Sequence, residues 1–347
     1  MTMQSLFFVQ PGVFEWREVA APRLAADTDA IVRPLAVARC DLDLYIAAGI
    51  IPLPGPFAFG HESVGEVVAA GPAAGVVPGQ RVVVPFQLSC GRCTACRRGF
   101  TGSCEAYPPL ANYGLGGGAR TDHGGALADL MHVAFADHML VPLPDGLDPV
   151  QVASATDNIA DGWRGVAPQL KARPGASVLV IGGLAQSVGL YAAGCAVAEG
   201  AGRVLYLDDD LGRRARAAAM GAEALPFTGY DGREPFEIVV EAAGNAAALA
   251  LAIRAAGRNG LVTSVSIHLA RETPLPLTEA YYKGLQLTVA RVDSRRHLPD
   301  VLACVACGKL HPEHVTHRVA SFAEAGAAMT DVGPKLVFVR NADAPRQ

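Results

Sequence analysis

The tightest constraint on this chain is the run SCGRCTACRRGFTGSC, in which Cys90, Cys93, Cys96 and Cys104 fall at C-x2-C-x2-C-x7-C. Four thiolates on a short, turning backbone suit a tetrahedral structural zinc, and the Gly and Arg residues between them favour turns over a helix. A disulfide framework fits less well, because 347 residues with eight cysteines do not have the density of a small secreted scaffold. A zinc held by four thiolates has no open coordination position. It braces a lobe, and the chemistry has to be sought elsewhere.

The length points to two domains rather than one, and a hydrophobic share of 51% is enough for two cores. A net charge of −4 argues against a nucleic-acid or anionic-membrane partner. The other cysteines, Cys40, Cys195, Cys304 and Cys307, are scattered, which fits a reducing compartment. The start, MTMQSLFFVQ, lacks the charged region and apolar core of a signal peptide, and no apolar run is long enough to span a bilayer. The expectation is a soluble cytoplasmic protein.

From Met1 to about Leu143 short apolar runs such as AIVRPLAVA, SVGEVVAAG and RVVVPFQLS alternate with Gly and Pro, the texture of a barrel or sandwich of short strands. Tyr107–Gly125 is glycine-rich and reads as a long loop. Near Pro149 the texture changes. The stretch VQVASATDNIADGWRGVAPQL has helical periodicity. After it, uniformly apolar strands (SVLVI, RVLYL, FEIVV, GLVTSVSI) alternate with helices, which predicts a parallel sheet covered on both faces.

A strand, a Gly-containing turn, a helix and a second strand ending in Asp is the dinucleotide-binding βαβ arrangement. The turn is Gly182-Gly183-Leu184-Ala185-Gln186-Ser187-Val188-Gly189, an altered form of G-x-G-x-x-G whose helix N-terminus still offers amides to a pyrophosphate. Asp208 closes the second strand, where a carboxylate accepts from ribose hydroxyls and repels a 2′-phosphate; this favours NAD over NADP. Helix capping is the competing role for Asp208, and the following Arg213 and Arg214 could reach an added phosphate. Cys304 and Cys307, spaced C-x-x-C on a helix, read as core or surface residues rather than a redox pair, and His311, His314 and His317 as surface or interface residues preceding a strand.

A second metal set lies upstream. Cys40, followed by His61-Glu62 within GHESVGEV, supplies a thiolate, an imidazole and a carboxylate, and mixed ligands suit an open, catalytic zinc. Taken singly, Cys40 reads as a buried apolar thiol and His61 as a satisfied structural histidine; the thiolate knuckle downstream is what favours reading them as a pair of ligands. With Cys40-x-x-Asp43, Gly60-His61-Glu62 and Gly65, the cysteine lobe, the βαβ turn and the C-terminal VTHRVASFAEAGAAM and PKLVFV, the chain resembles the zinc-dependent medium-chain dehydrogenase/reductase family, the alcohol dehydrogenases, over nearly its whole length.

The resemblance implies an α/β fold of two domains. A GroES-like β-barrel catalytic domain would span residues 1–150 and be completed by 291–347, with a Rossmann doubly wound parallel-sheet domain over 151–290. It implies two zinc ions per chain. One would be structural, and one catalytic and held by Cys40, His61 and Asp157, the match to a branch that uses Asp as third ligand, with Glu62 exchangeable. Asp161 is the fallback ligand, and Asp157 could instead cap the helix after it. Asp43 would fix the His61 ring, and Lys335, or else Arg340, would pair with Glu62. The implied reaction is hydride transfer between a small alcohol, or an aldehyde or ketone, and NAD(H), by a homodimer or homotetramer. One part departs from the pattern. Leu42 stands where the family places the Ser or Thr that relays the proton. This leaves room for reduction of a conjugated or imine bond, or for a silent nucleotide-binding relative, with His123 an outside candidate for proton shuttling.

Overall fold

The computed structural model describes residues 1–116 and 123–340; the middle of the glycine-rich loop and the end of the 291–347 segment lie outside the described residues. The chain divides into two compact units. The first holds Met1–Ala160, Asp293–Ala306 and Thr316 onward; the second holds Asp161–Val292 and Cys307–Val315. Among the described residues no helix is long and apolar enough to cross a membrane.

In the first unit, Thr2–Gln10 pairs with Val13–Ala20 and with Phe57–Ala58 in a three-stranded antiparallel sheet. A seven-stranded sheet is built around Ala30–Ala38, which lies between Glu62–Ala70 and Lys335–Val339, antiparallel to both. Phe8, Phe57 and Phe59, each at most 3% exposed, pack in one aromatic cluster with ring centroids 5.1–6.2 Å apart. Burial of each such ring is worth about 1.5–3 kcal/mol. Strand register gathers distant residues at one end of this sheet. Ala38 faces Glu62 on one side and Val337 on the other, so Cys40, His61-Glu62 and Lys335 all arrive there.

The second unit is a six-stranded parallel sheet. Its order is Glu223–Leu225, Arg203–Leu207, Ser177–Ile181, Phe236–Glu241, Ala256–Ser264, Gln286–Val289. Numbered along the chain that order is 3-2-1-4-5-6, the doubly wound topology whose crevice opens beside the first strand. The strand cores Val178–Ile181 and Ile238–Val240 are fully buried, as a sheet covered on both faces requires.

Three local readings need correction. The helical stretch after Pro149 is not continuous. A short helix Pro149–Val152 runs into a 3-10 turn Ala153–Thr156 and breaks at Asp157 (φ −147°, ψ −81°) before the helix Asn158–Ala172 begins. Cys307 lies beyond the end of the helix Ser294–Ala306, so only Cys304 is helical. His317 sits within the strand Thr316–Ser321 rather than before it.

Candidate functional site

Cys40 follows the strand Ala30–Ala38 and caps the helix Asp41–Ala47 in extended geometry, and its amide donates to Asp43 Oδ2 at 2.9 Å. His61 enters the next strand from Gly60, whose φ of 91° and close contacts with Leu127 and Val37 leave no room for a Cβ. Asp157 is delivered by the break in the helical stretch. Together with Glu62 these residues form one buried group whose ligand atoms all lie within 4.8 Å of one another. Cys40 Sγ is 3.1 Å from Asp157 Oδ2, and His61 Nε2 is 3.4 Å from the same oxygen. Metal–ligand lengths for a tetrahedral zinc imply donor–donor edges of about 3.3–3.8 Å.

The state of the polar atoms also fits a cation. Both ring nitrogens of His61 are fully buried, and among the described residues neither meets a partner at hydrogen-bond geometry, although burial without one is costly. Asp43 Oδ1 lies 3.5 Å from His61 Nδ1, on the far side of the ring from Asp157, which leaves Nε2 aimed at Cys40 and Asp157. Burial pulls the His61 ring down, but the Asp43 and Asp157 carboxylates outweigh it and push the imidazole up to about 9. Burial, followed by the charges of Asp157 and Glu62, pushes the Cys40 thiol well up. Burial also raises Asp43. The Cys40 thiol and the carboxylates repel one another in a dry site, and a divalent cation would relieve that repulsion.

Glu62 stands behind the group. Its Oε2 accepts from Ser154 Oγ at 2.7 Å and from Lys335 Nζ at 3.0 Å, and its Oε1 from the Asn158 amide at 3.3 Å. Burial pushes its carboxyl up to about 7 even with Lys335 opposing. Of the two basic candidates, Lys335 makes this contact; Arg340 instead pairs with Asp129 at 3.0 Å. Asp161 is held in an ion pair with Arg164. Leu42 packs against the hydrophobic core, and Phe86 tilts against the His61 ring with centroids 5.4 Å apart. His123 makes an edge contact with Tyr107, 5.5 Å between centroids.

The cysteine run forms the other candidate metal group, Cys90, Cys93, Cys96 and Cys104, again within 4.8 Å of one another and unbridged by disulfides. Cys93 and Cys104 sulfurs are 4.0 Å apart, against the edge of about 3.8 Å that zinc–thiolate lengths imply. Backbone amides point at the sulfurs: Cys96 and Glu105 at Cys93, Arg92 at Cys90, Cys90 at Cys104. The amides at Cys93 hold its thiol down at about 6, ready to ligate as thiolate.

In the second unit the helix Gln186–Ala198 begins directly after the Gly182-Gly183 turn, with Ser187, Val188 and Gly189 buried in its first turn. A Cβ at Gly182 would collide with Tyr206 Oη and Asp208 Oδ2, and one at Gly189 would sit 3.2 Å from the Ala242 methyl. Asp208 is 2% exposed at the end of its strand. Its carboxylate accepts from Arg213 Nε and Nη2, both at 2.7 Å, from Tyr206 Oη at 2.8 Å and from the Asp210 amide at 2.9 Å. Asp210, not Asp208, caps the following helix.

Sequence reasoning missed Asn158 and Arg39. Asn158 touches Cys40, Asp157, Glu62 and Lys335. Arg39, 2% exposed, donates to the carbonyls of Met329, Asp331 and Gly333 and ties the approach to the Lys335 strand down beside Cys40. Neither carries a motif signal. Adjacency to a ligand is the only hint in the sequence.

A fold of this kind with two metal-ready groups defines a zinc oxidoreductase, and comparison with known proteins agrees. Residues 26–145 match the alcohol dehydrogenase GroES-like domain family. The chain is 31% identical over 297 residues to a probable zinc-binding alcohol dehydrogenase of Mycobacterium tuberculosis, covering 83% of this chain and 74% of the relative. It is 26% identical over 301 residues to sorbitol dehydrogenase of Bacillus subtilis, covering 78% and 81% of the two chains. Among solved structures, alcohol dehydrogenase TADH from Thermus sp. ATN1 superposes with a TM-score of 0.88 at 32% identity, over 98% of this chain and all of that one (100%). The chain belongs to the zinc-dependent medium-chain dehydrogenase/reductase family, the alcohol dehydrogenases, and its class of activity is NAD(P)-dependent oxidoreduction of an alcohol or carbonyl.

Proposed function

We propose that the chain interconverts a small alcohol or polyol and the matching aldehyde or ketone, with Cys40, His61 and Asp157 holding a catalytic zinc and Glu62 in reserve behind them. The observation that carries this is the convergence of a thiolate, an imidazole and a carboxylate, with His61 Nε2 buried and, among the described residues, without a partner at hydrogen-bond geometry. When bound, the metal supplies Lewis acidity toward the substrate oxygen and the nicotinamide ring exchanges hydride with the substrate carbon. The protein's part is positional. Asp43 holds the His61 ring so that Nε2 faces the donors, and Lys335 and Ser154 hold Glu62 back from them. The four-cysteine group is read as a second, structural zinc.

NAD is the preferred cofactor in this reading, bound over Gly182, Gly183, Gln186, Ser187, Val188 and Gly189 with Asp208 toward the ribose. Arg213 screens the Asp208 charge, so the preference is expected to be moderate. The edge strand Gln286–Val289 is exposed along its length, with Val289 at 65% and nearby Tyr281 and Tyr282 at 81% and 80%; this supports a homo-oligomer joined there. Zinc-loaded protein should turn over NAD with alcohols or polyols, or NADH with aldehydes or ketones, and Cys40→Ser should not. Equal rates from both proteins would overturn the reading. Leu42 favours one alternative, reduction of a conjugated or imine bond, which predicts activity that survives removal of the catalytic metal.

A further inference from the structure

We propose that Asn158 is a positioning residue of the catalytic metal site, its carboxamide locked by Lys335 so that both of its N–H donors face the ligand atoms of Cys40 and Asp157. The proposal rests on the reading of Cys40 and Asp157 as zinc ligands.

The orientation of the amide follows from its partners. Lys335 Nζ can only donate, and it lies 2.6 Å from Asn158 Oδ1, so the oxygen faces the lysine. The Asp41 amide, at 3.4 Å, approaches the same oxygen. That leaves the NH2 group facing the other way, where it meets Cys40 Sγ at 3.2 Å and Asp157 Oδ2 at 3.0 Å. Two hydrogens find two acceptors, and a flipped amide would set NH2 against the ammonium. Asn158 is 3% exposed and Lys335 is fully buried, so water does not compete for these contacts. The Asn158 backbone amide meanwhile donates to Glu62 Oε1 at 3.3 Å, which helps hold that carboxylate back.

The position of Asn158 depends on the break at Asp157. A continuous helix would carry residues 157 and 158 round a common axis; the break lets both side chains turn toward Cys40. The chemical consequence is specific. A hydrogen bond to a thiolate stabilises its lone pairs and weakens its donation, which leaves more positive charge on the metal it holds. The same pair of bonds fixes the separation of Cys40 and Asp157, so the metal meets preformed ligands.

Two variants test this. Asn158→Asp keeps the shape and the acceptor toward Lys335 but removes both N–H donors. Asn158→Leu removes the amide altogether. Zinc release from the holoprotein into excess EDTA should be about 10–100-fold faster in both, the range by which loss of an outer-shell partner lowers metal affinity, because losing the fixed spacing of Cys40 and Asp157 outweighs the stronger donation of a thiolate freed of its hydrogen bond. In cobalt-substituted protein the sulfur-to-metal charge-transfer band, taken as the difference from Cys40→Ser to subtract the four-cysteine site, should move to lower energy. A residue that merely packs would leave that band in place. If Asn158→Leu fails to fold, Asn158→Asp reads the same two quantities. Release within about twofold of wild type with an unshifted band overturns the proposal. If Cys40→Ser itself loses no metal, the ligand reading beneath it fails instead, so the two failures are separable.

Discussion

Replacing Lys335 with methionine should cost the first unit several kcal/mol, and the structure says why. Lys335 and Glu62 are both fully buried, 3.0 Å apart, and the same ammonium also donates to Asn158 Oδ1 at 2.6 Å and to the Arg39 carbonyl at 2.8 Å. Removing one side of a buried pair typically costs about 3–5 kcal/mol, because the other charge is left without compensation. Among the described residues Glu62 would retain the Ser154 hydroxyl and the Asn158 backbone amide. Burial already pushes its carboxyl up to about 7 against the pull of Lys335, so without the ammonium it moves higher and is protonated at neutral pH, which limits the loss. Glu62→Gln removes the charge from the other side. The double variant should therefore be more stable than the two single losses summed, with a coupling of about 1–3 kcal/mol. Equilibrium urea unfolding of zinc-loaded wild type, both single variants and the double variant at pH 7 measures it. Single losses that add to within about 0.5 kcal/mol would refute the idea that this pair is one electrostatic unit.

Cys93→Ser should lose one zinc and lower the melting temperature, while the protein that remains folded keeps hydride-transfer activity; activity lost at unchanged stability would argue that the lobe is catalytic. Asp208→Ala should raise the NADP-to-NAD ratio of kcat/KM by about tenfold or more, since it removes the carboxylate and leaves Arg213 to meet a phosphate; an unchanged ratio would remove Asp208 from cofactor selection. Asp29 is 3% exposed. Its burial raises the carboxyl, but the His132 ring at 2.8 Å and the amides of Ala25 and Ala26 outweigh that and hold it below the ordinary value. A depressed carboxyl contributes stability above its unfolded pKa and loses it as pH falls through the folded one. Asp29→Asn should thus cost about 1–3 kcal/mol near neutrality, with the gap to wild type closing below about pH 4, as read from urea midpoints across pH. A gap independent of pH would show that the effect is packing alone.

The parallel sheet was legible because its central strands, Ser177–Ile181, Arg203–Leu207 and Phe236–Glu241, are almost wholly apolar and buried, whereas the edge strands Glu223–Leu225 and Gln286–Val289 are largely exposed and carry a weaker signal. The four-cysteine run was legible because all its donors lie on one short loop. The meeting of Cys40, His61 and Asp157 is harder to read, since Cys40 and Asp157 are 117 residues apart and join only through tertiary contacts. Order along the chain suggested them, but spacing could not say that Glu62 turns back toward Lys335, 273 residues away. The break at Asp157 is hidden because Ser154, Thr156 and Asn158 sit in an otherwise helical pattern, and the contacts that pull the backbone out of that pattern are tertiary. Asn158 is invisible for the same reason. An asparagine beside an aspartate carries no spacing signal, and its importance lies in which four side chains surround it.

Metal content per chain tests the central claim most directly, measured on wild type and on Cys40→Ala purified with zinc present. Two zinc ions in wild type and one in Cys40→Ala, with the fold intact, are the expected result. Two ions retained in Cys40→Ala, or a single ion in wild type that the variant keeps, would contradict a catalytic zinc at Cys40, His61 and Asp157.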